Sequence, residues 1–517
     1  MRSHRPAWLA AIVAGLVAAA SIQALAQSTS TEDALRQRVE ELEAKLKRLE
    51  ERLEQQAAGA PVPAPVAAPL PAASTAPVVA TPATDQPSPR EEALEQQVQA
   101  LDQQVRVLGR KQELDREAAE ARQKEQPVAF VNPGTEGVGI RTPDNAFMVR
   151  FRAHLQADSR WFEDNSGTDQ FLMRRVRPIV EGTLYEKFGF RIMPEFGSGG
   201  FELLDAYVDA NLFSYFKIRA GKMKGPVGLE RLESPADLLM MERGFPTQLV
   251  PNRDIGIQFS GELFDRILTY QTGVFDGTID GTSTNGDNNN AKDFETRFFA
   301  RPFRNTDWDA LRGLGVGVAF TSGMQAGTVS SSNLPKFNTP GQVTFFTYAA
   351  GAYADGSRDR YVPQLYYSWD SFGLLSEYAV SAQRVTRATN TRTVRNTGWT
   401  FTPSWVLTGE DASYSGVNPR RPFNPEKGNW GAFELVGRLG ELDVDDDVFA
   451  GSASTRLANP GTQASRAKEY GLGLTWYLNK AYRLMFNYEH TSFDGGAPDG
   501  GDRPDEKVFM TRIQLHL

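Results

Sequence analysis

An all-β transmembrane barrel of about sixteen antiparallel strands, preceded by an N-terminal α-helical coiled coil, is the fold class this sequence predicts. Three observations predict it. From Phe147 to Leu517 the chain repeatedly sets apolar residues at every second position, with charged ones between them. After the N-terminus no run reaches the roughly 18 apolar residues that a membrane helix requires, so a spanning structure has to be built of strands. The chain also opens on an export signal. The clearest alternation puts Phe147, Val149, Phe151, Ala153, Leu155 and Ala157 on one face and Arg150, Arg152, His154, Gln156 and Asp158 on the other. A soluble sandwich alternates too but turns its apolar face inward. In an exported chain without cysteine, the apolar face suits lipid and the charged face an aqueous bore.

Residues 1–26 read as a signal peptide. Arg2 and Arg5 make the charged start, Trp8 to Ala20 the apolar run and Ala24-Leu25-Ala26 the small-residue cleavage pattern. Residues 27–56 read as a coiled coil, with Val39, Leu46 and Leu53 at heptad position a and Leu35, Leu42 and Leu49 at d. Arg38 with Glu43, and Lys45 with Glu50, are the flanking pairs that favour parallel association. Residues 57–90 form an Ala/Pro-rich linker, extended and semi-rigid. Residues 91–126 carry a weaker heptad at Leu94, Val98, Leu101, Val105 and Leu108, interrupted by Gly109. The expected location is the outer membrane of a Gram-negative bacterium, with these helices in the periplasm and residues 127–517 as the barrel in the lipid.

Strands are expected near 147–161, 171–185, 188–196, 203–212, 216–224, 253–261, 266–275, 293–303, 311–323, 358–369, 372–385, 396–408, 430–442, 467–478, 481–491 and 506–517. Tight turns such as Glu186-Lys187, Asp370-Ser371 and Asn479-Lys480 alternate with long segments such as 276–292, 324–357, 443–466 and 492–505. Short periplasmic turns and long outer loops have this rhythm. The segment 409–429 breaks it, being long where a short turn is due. Residues 225–252 form a loop whose Leu238, Leu239, Met240 and Met241 are too apolar for the outer medium, so the loop is expected to fold inward and narrow the pore.

The net charge of the 517-residue chain is −8, yet the inward faces of the expected strands carry many cations. Arg150, Arg152, His154, Arg191, Lys217, Arg219, Arg297 and Arg301 are the expected pore-lining residues, and Arg175 and Arg177 share their parity. Arg174 has lipid-face parity. Asp158, Glu181, Glu195, Asp205 and Asp209 share the inward face, so charge parity alone leaves a mixed, weakly selective wall open. Lys222, Lys224, Arg231 and Arg243, around the inward loop, would build a constriction that offers donors to anion oxygens, arginine forks binding phosphate in two-pronged fashion. Beyond the signal peptide only His154, His490 and His516 are imidazoles, with no serine-centred elbow or metal spacing beside them. The reading is therefore of a non-enzyme with no metal and no cofactor. Asp445-Asp446-Asp447 is read as a solvated acidic loop tip.

Several stretches resemble the phosphate-selective outer-membrane porins, the porin O and P family. They are Phe171-Leu172-Met173-Arg174-Arg175, Ala220-Gly221-Lys222-Met223-Lys224-Gly225-Pro226-Val227-Gly228-Leu229-Glu230-Arg231, Met241-Glu242-Arg243, Gly273-Val274-Phe275-Asp276-Gly277, Leu407-Thr408-Gly409-Glu410, Gly431-Ala432-Phe433-Glu434-Leu435 and Gly471-Leu472-Gly473-Leu474-Thr475-Trp476-Tyr477. The resemblance spans 147–517. It implies a homotrimer of sixteen-stranded barrels in outer-membrane lipid, an inward third loop and arginines leading anions to a central site; the expected function is passive diffusion of phosphate or, because Arg177 and Lys224 in place of aromatics would widen and further charge the constriction, of polyphosphate-like anions. It also implies that Arg174 and Arg175 are the paired arginines of the second strand, Arg231 the basic residue after Gly-Leu-Glu, Ser234 a loop hydroxyl and Arg243 the loop-end arginine. Four positions depart from the family pattern. Arg177 and Lys224 stand where phosphate-selective members carry aromatics, His154 where a ladder arginine is expected, and Leu517 where many members end in phenylalanine. The alternative reading is a general or weakly selective porin whose coiled coil contacts the cell wall and tethers the outer membrane to it. Nucleic acid is not an expected partner.

Overall fold

The computed structural model describes residues 127–132, 137–163, 166–287 and 289–517, and single positions between 103 and 117, which are helical. The expected signal peptide, coiled coil and linker lie outside the described residues. The segment 91–126 is described almost solely at those helical positions.

Sixteen antiparallel strands close into one ring. They are β1 Met148–Glu163, β2 Gln170–Leu184, β3 Phe188–Glu195, β4 Glu202–Phe213, β5 Phe216–Met223, β6 Asp254–Leu263, β7 Leu268–Phe275, β8 Asp293–Ala300, β9 Gly315–Ala326, β10 Tyr353–Trp369, β11 Phe372–Arg387, β12 Asn390–Val406, β13 Ala432–Asp443, β14 Ala464–Tyr477, β15 Tyr482–Gly495 and β16 Glu506–His516. The ring closes where β16 pairs with β1, from Lys507 opposite Glu163 to His516 opposite His154. Closure leaves no barrel edge, the condition for strands to cross lipid. A short hairpin, Val128–Asn132 with Gly137–Arg141, pairs onto the start of β1 just before the ring begins.

Burial is inverted relative to a water-soluble protein. Phe171, Ile513 and Leu472 are 78%, 61% and 58% exposed on the outside, while Arg358 and Arg512 are 0% and 1% exposed within. Such a surface suits hydrocarbon, and only an interior of paired charges and water suits the arginines. Aromatic pairs mark both rims. Phe147 with Tyr185 (4.7 Å) and Phe213 with Tyr215 (5.0 Å) lie at the end holding the termini, and Trp161 with Phe171 (5.5 Å) lies at the other.

The bore is filled unevenly. The loop between β5 and β6 folds inside, where Phe245, Leu249 and Val250 pack with Phe337, Phe345 and Phe346 of the β9–β10 connection and with Val444, Val448 and Leu457 of the β13–β14 connection. Wall residues Ala379, Val394 and Leu442 back this dry core. Gly225 explains how the chain leaves β5: a Cβ there would sit 2.1 Å from Glu295 Oε2 on β8. Gly228 has φ +80, where only glycine turns without strain.

Two connections invert the expected rhythm. The β11–β12 connection is a turn of two residues, Ala388 and Thr389, although residues 386–395 were expected to be a loop. The long 407–431 connection lies at the terminus end, and Tyr414 Oη donates to the Leu229 carbonyl at 2.5 Å while its ring meets Tyr366. It is long because it reaches into the bore and supports the inward loop.

Candidate functional site

Local backbone geometry begins the site. Between β1 and β2 the register shifts: Gln156 faces Arg175, but Ala157 faces Met173, so Arg174 is an extra residue in β2. A bulge of this kind re-aims the side chain it carries. Arg174, which parity sends toward lipid, turns inward beside Arg175.

Both arginines line a cavity of about 430 Å3 inside β2–β4. Arg177, Arg231, Arg243, Arg253 and Lys336 join them there, against the carboxylates Glu195, Glu202, Glu242 and Asp280. Seven cations to four acids leave this hollow positive in a chain whose net charge is −8. Such local excess, not the net charge, sets the field an ion meets.

The pairing within the cavity is unequal. Arg174 is locked on Glu242, and Arg177 donates to Glu195 at 2.6 Å. Arg253 donates to Asp205 at 3.2 Å. Arg231 and Arg243 make no ion pair with a carboxylate among the described residues. Arg231 donates to Asn252 Oδ1 at 3.3 Å and to the Thr247 carbonyl, and Arg243 donates to the carbonyls of Glu230 (2.9 Å) and Glu233 (2.8 Å). Three buried N–H groups, Arg175 Nε, Arg177 Nη1 and Arg231 Nε, have no hydrogen-bond partner among the described residues. Burial, and then the neighbouring Arg243 and Arg253, bring the Arg231 guanidinium down to about 9. Burial and nearby Glu230 push the Glu233 carboxyl well above the usual carboxylate range. A buried guanidinium with a free N–H in a positive hollow favours an anion oxygen, which supplies both the missing acceptor and the missing charge.

Wall arginines hold the inward loop. Arg438 on β13 donates to Glu230 Oε1 (2.6 Å) and to the Glu242 carbonyl (2.7 Å). Arg512 on β16 grips Asp158 through Nε and Nη2, both at 2.7 Å, and reaches the Met241 carbonyl at 2.6 Å.

The remaining expected site residues fall elsewhere. Lys222 Nζ donates to Asn285 Oδ1 at 2.5 Å, and Lys224 Nζ to the carbonyls of Leu232 (3.2 Å) and Glu233 (2.7 Å), so both are bound outside the cavity. Ser234 Oγ accepts from the Ala236 N–H at 3.2 Å. Arg150, Arg152 and Arg191 converge on Glu181 at 2.8, 3.3 and 2.8 Å. Arg219 stacks over Tyr207 at 4.1 Å, and Lys217 shares its face of β5. Arg297 and Arg301 line a second hollow of about 370 Å3 toward the terminus end. His154 is buried against His516, their rings 5.5 Å apart. Arg253, Lys336 and Glu242 were not among the expected site residues.

The phosphate-selective porin O and P family model matches residues 147–517, the whole ring. The chain belongs to that family. It is an outer-membrane porin, a channel and not an enzyme. Porin O of Pseudomonas aeruginosa is a relative 24% identical over 412 residues, covering 73% of this chain and 90% of that one. Among solved structures, OmpT of Vibrio cholerae is 12% identical and covers 72% of this chain and 98% of its own, with a TM-score of 0.45. The outer-membrane channel DcaP of Acinetobacter baumannii gives 10% identity, the same coverages and a TM-score of 0.46. An anion-selective porin from Comamonas acidovorans gives 12% identity, 72% and 100% coverage and a TM-score of 0.44.

Proposed function

We propose that this porin passes inorganic anions by passive diffusion, with phosphate or polyphosphate-like anions held briefly in the arginine cavity. The observation that carries the reading is the pair Arg231 and Arg243, cations on the cavity wall that are held in no ion pair among the described residues. Anions entering from outside are drawn by the positive hollow, exchange part of their hydration for guanidinium N–H groups and leave toward the periplasm. Binding has to remain weak enough for release. Arg174, Arg175, Arg177, Arg231 and Arg243 are the proposed contacts, and the assembly is a proposed homotrimer.

Glu195, Glu202, Glu242 and Asp280 on the same wall favour a second reading, a general anion porin with little preference among anions. Reversal potentials of the purified protein in a planar bilayer under a KCl gradient, followed by titration with phosphate and pyrophosphate, separate the two. Anion preference with phosphate block supports the first reading, anion preference without block the second, and cation preference overturns both.

A further inference from the structure

The outer wall of the barrel holds a feature that conduction does not use. Between β8 and β12 lies an outward-facing groove of about 390 Å3, walled by Phe294, Phe320, Tyr361, Val380 and Ala382. The rings of Phe320 and Tyr361 stand 5.1 Å apart on one side, and Ala382 leaves the floor low. Arg395 closes the other side, directly across the ladder from Ala382. Its backbone N–H is taken by Asp445, but its guanidinium has no hydrogen bond or ion pair among the described residues. Arg384, opposite Thr393 and so diagonal to Arg395 on the same face, likewise has no polar partner there. Asp359, across the groove, accepts from Ser322 Oγ at 2.7 Å.

Position along the strand tells what medium Arg395 meets. Trp405 stands at the terminus-end rim of β12, and Trp399 and Phe401 face outward between it and Arg395. The ten-residue interval spans roughly 33 Å of strand, or roughly 25 Å of membrane depth at a barrel tilt of about 40°, which is the height of the apolar band. Arg395 therefore lies at the outer interface, where the phosphates of outer-leaflet lipids lie.

We propose that this groove binds one phosphate-bearing lipid of the outer leaflet, an acyl chain lying between Tyr361 and Ala382 and the phosphate resting on Arg395 and Arg384. Guanidinium forks match phosphate oxygens, and the low floor accepts a chain that a bulkier residue would expel.

The test is native mass spectrometry of the full-length purified protein in detergent with added bisphosphorylated hexaacyl lipid A, its dephosphorylated counterpart, or phosphatidylethanolamine. The wild type is expected to retain one bisphosphorylated molecule per protomer. Arg395→Glu and Ala382→Trp are expected to lower retention about tenfold, with heat-modifiable mobility and bilayer conductance unchanged. Arg395→Gln, which keeps a hydrogen-bond donor without the charge, is expected to fall between. Equal retention by Arg395→Glu, or equal binding of the dephosphorylated lipid, overturns the proposal. So does a loss of oligomer mass in Ala382→Trp without loss of lipid, which would make the groove a contact between protomers.

Discussion

Arg174 and Glu242 form a two-pronged ion pair, Nε to Oε1 at 2.7 Å and Nη2 to Oε2 at 2.9 Å, linking the bulge of β2 to the inward loop. Arg160 (3.1 Å) and Arg512 (3.3 Å) crowd the same carboxylate, with Arg175 at 3.8 Å. Glu242 thus occupies these guanidiniums as a tethered anion.

Glu242→Gln is therefore expected to leave Arg174 and Arg175 without their ion-pair partner, at a cost of about 3–5 kcal/mol. Added phosphate should restore part of that loss by taking the vacated place. Melting curves with and without phosphate check this: the variant should gain more from phosphate than the wild type, and its chloride current should be blocked at lower phosphate.

Arg231 and Arg243 are cavity cations held by carbonyl and amide oxygens and in no ion pair among the described residues. Arg231→Gln or Arg243→Gln should lower the anion-to-cation permeability ratio several-fold, because each removes a cavity cation that no ion pair holds. Lys336→Gln, at the mouth formed by the β9–β10 connection, should act less. Reversal potentials measured at low and high salt decide, the difference shrinking as salt screens the field.

Burial pushes the Glu242 carboxyl upward, but Arg174, Arg175 and Arg512 outweigh burial and hold it well below the usual carboxylate range. A depressed folded-state pKa stabilises above the unfolded value of about 4.3 and is lost only as pH falls through the folded value. The melting-temperature difference between wild type and Glu242→Gln should stay level from pH 8 to about 5 and shrink only in stronger acid. A difference that vanished near pH 6 would count against this assignment.

Arg438 is the wall clamp on the loop. Arg438→Met leaves Glu230 and Glu469 without their counter-ion, since both lie within 4 Å of its guanidinium at 2.6 and 3.5 Å. The barrel should still form while the loop loosens, giving larger, noisier single-channel currents with weaker anion preference. Quiet currents of wild-type size would show that the loop holds without Arg438.

Most of the ring was legible because a strand with an apolar outer face and a charged inner face writes its period of two plainly, and all sixteen strands occur in the expected order. The expected strand ends at 385 and 396 fell short because Thr386, Thr391 and Thr393 look like loop residues, whereas β-branched threonines suit a strand that continues past the lipid. Arg174 was placed outward for a different reason. Parity counting assumes an unbroken ladder, and one extra residue reverses it. Arg231 and Arg243 could be recognised from the basic run around an apolar loop. Arg253 and Lys336 could not, since only the folding of three separate connections toward β2 brings them together. The 407–431 connection had no local signal for its role, because the tie from Tyr414 to Leu229 joins positions remote in the chain.

The dry core of Phe245, Phe337, Phe345 and Phe346 has a consequence for transport. Sixteen strands set a wide circumference, but the part of the cross-section backed by that core carries no current. If the arginine cavity is the ion path, that path is eccentric, and this porin should conduct like a far narrower pipe than its strand number suggests.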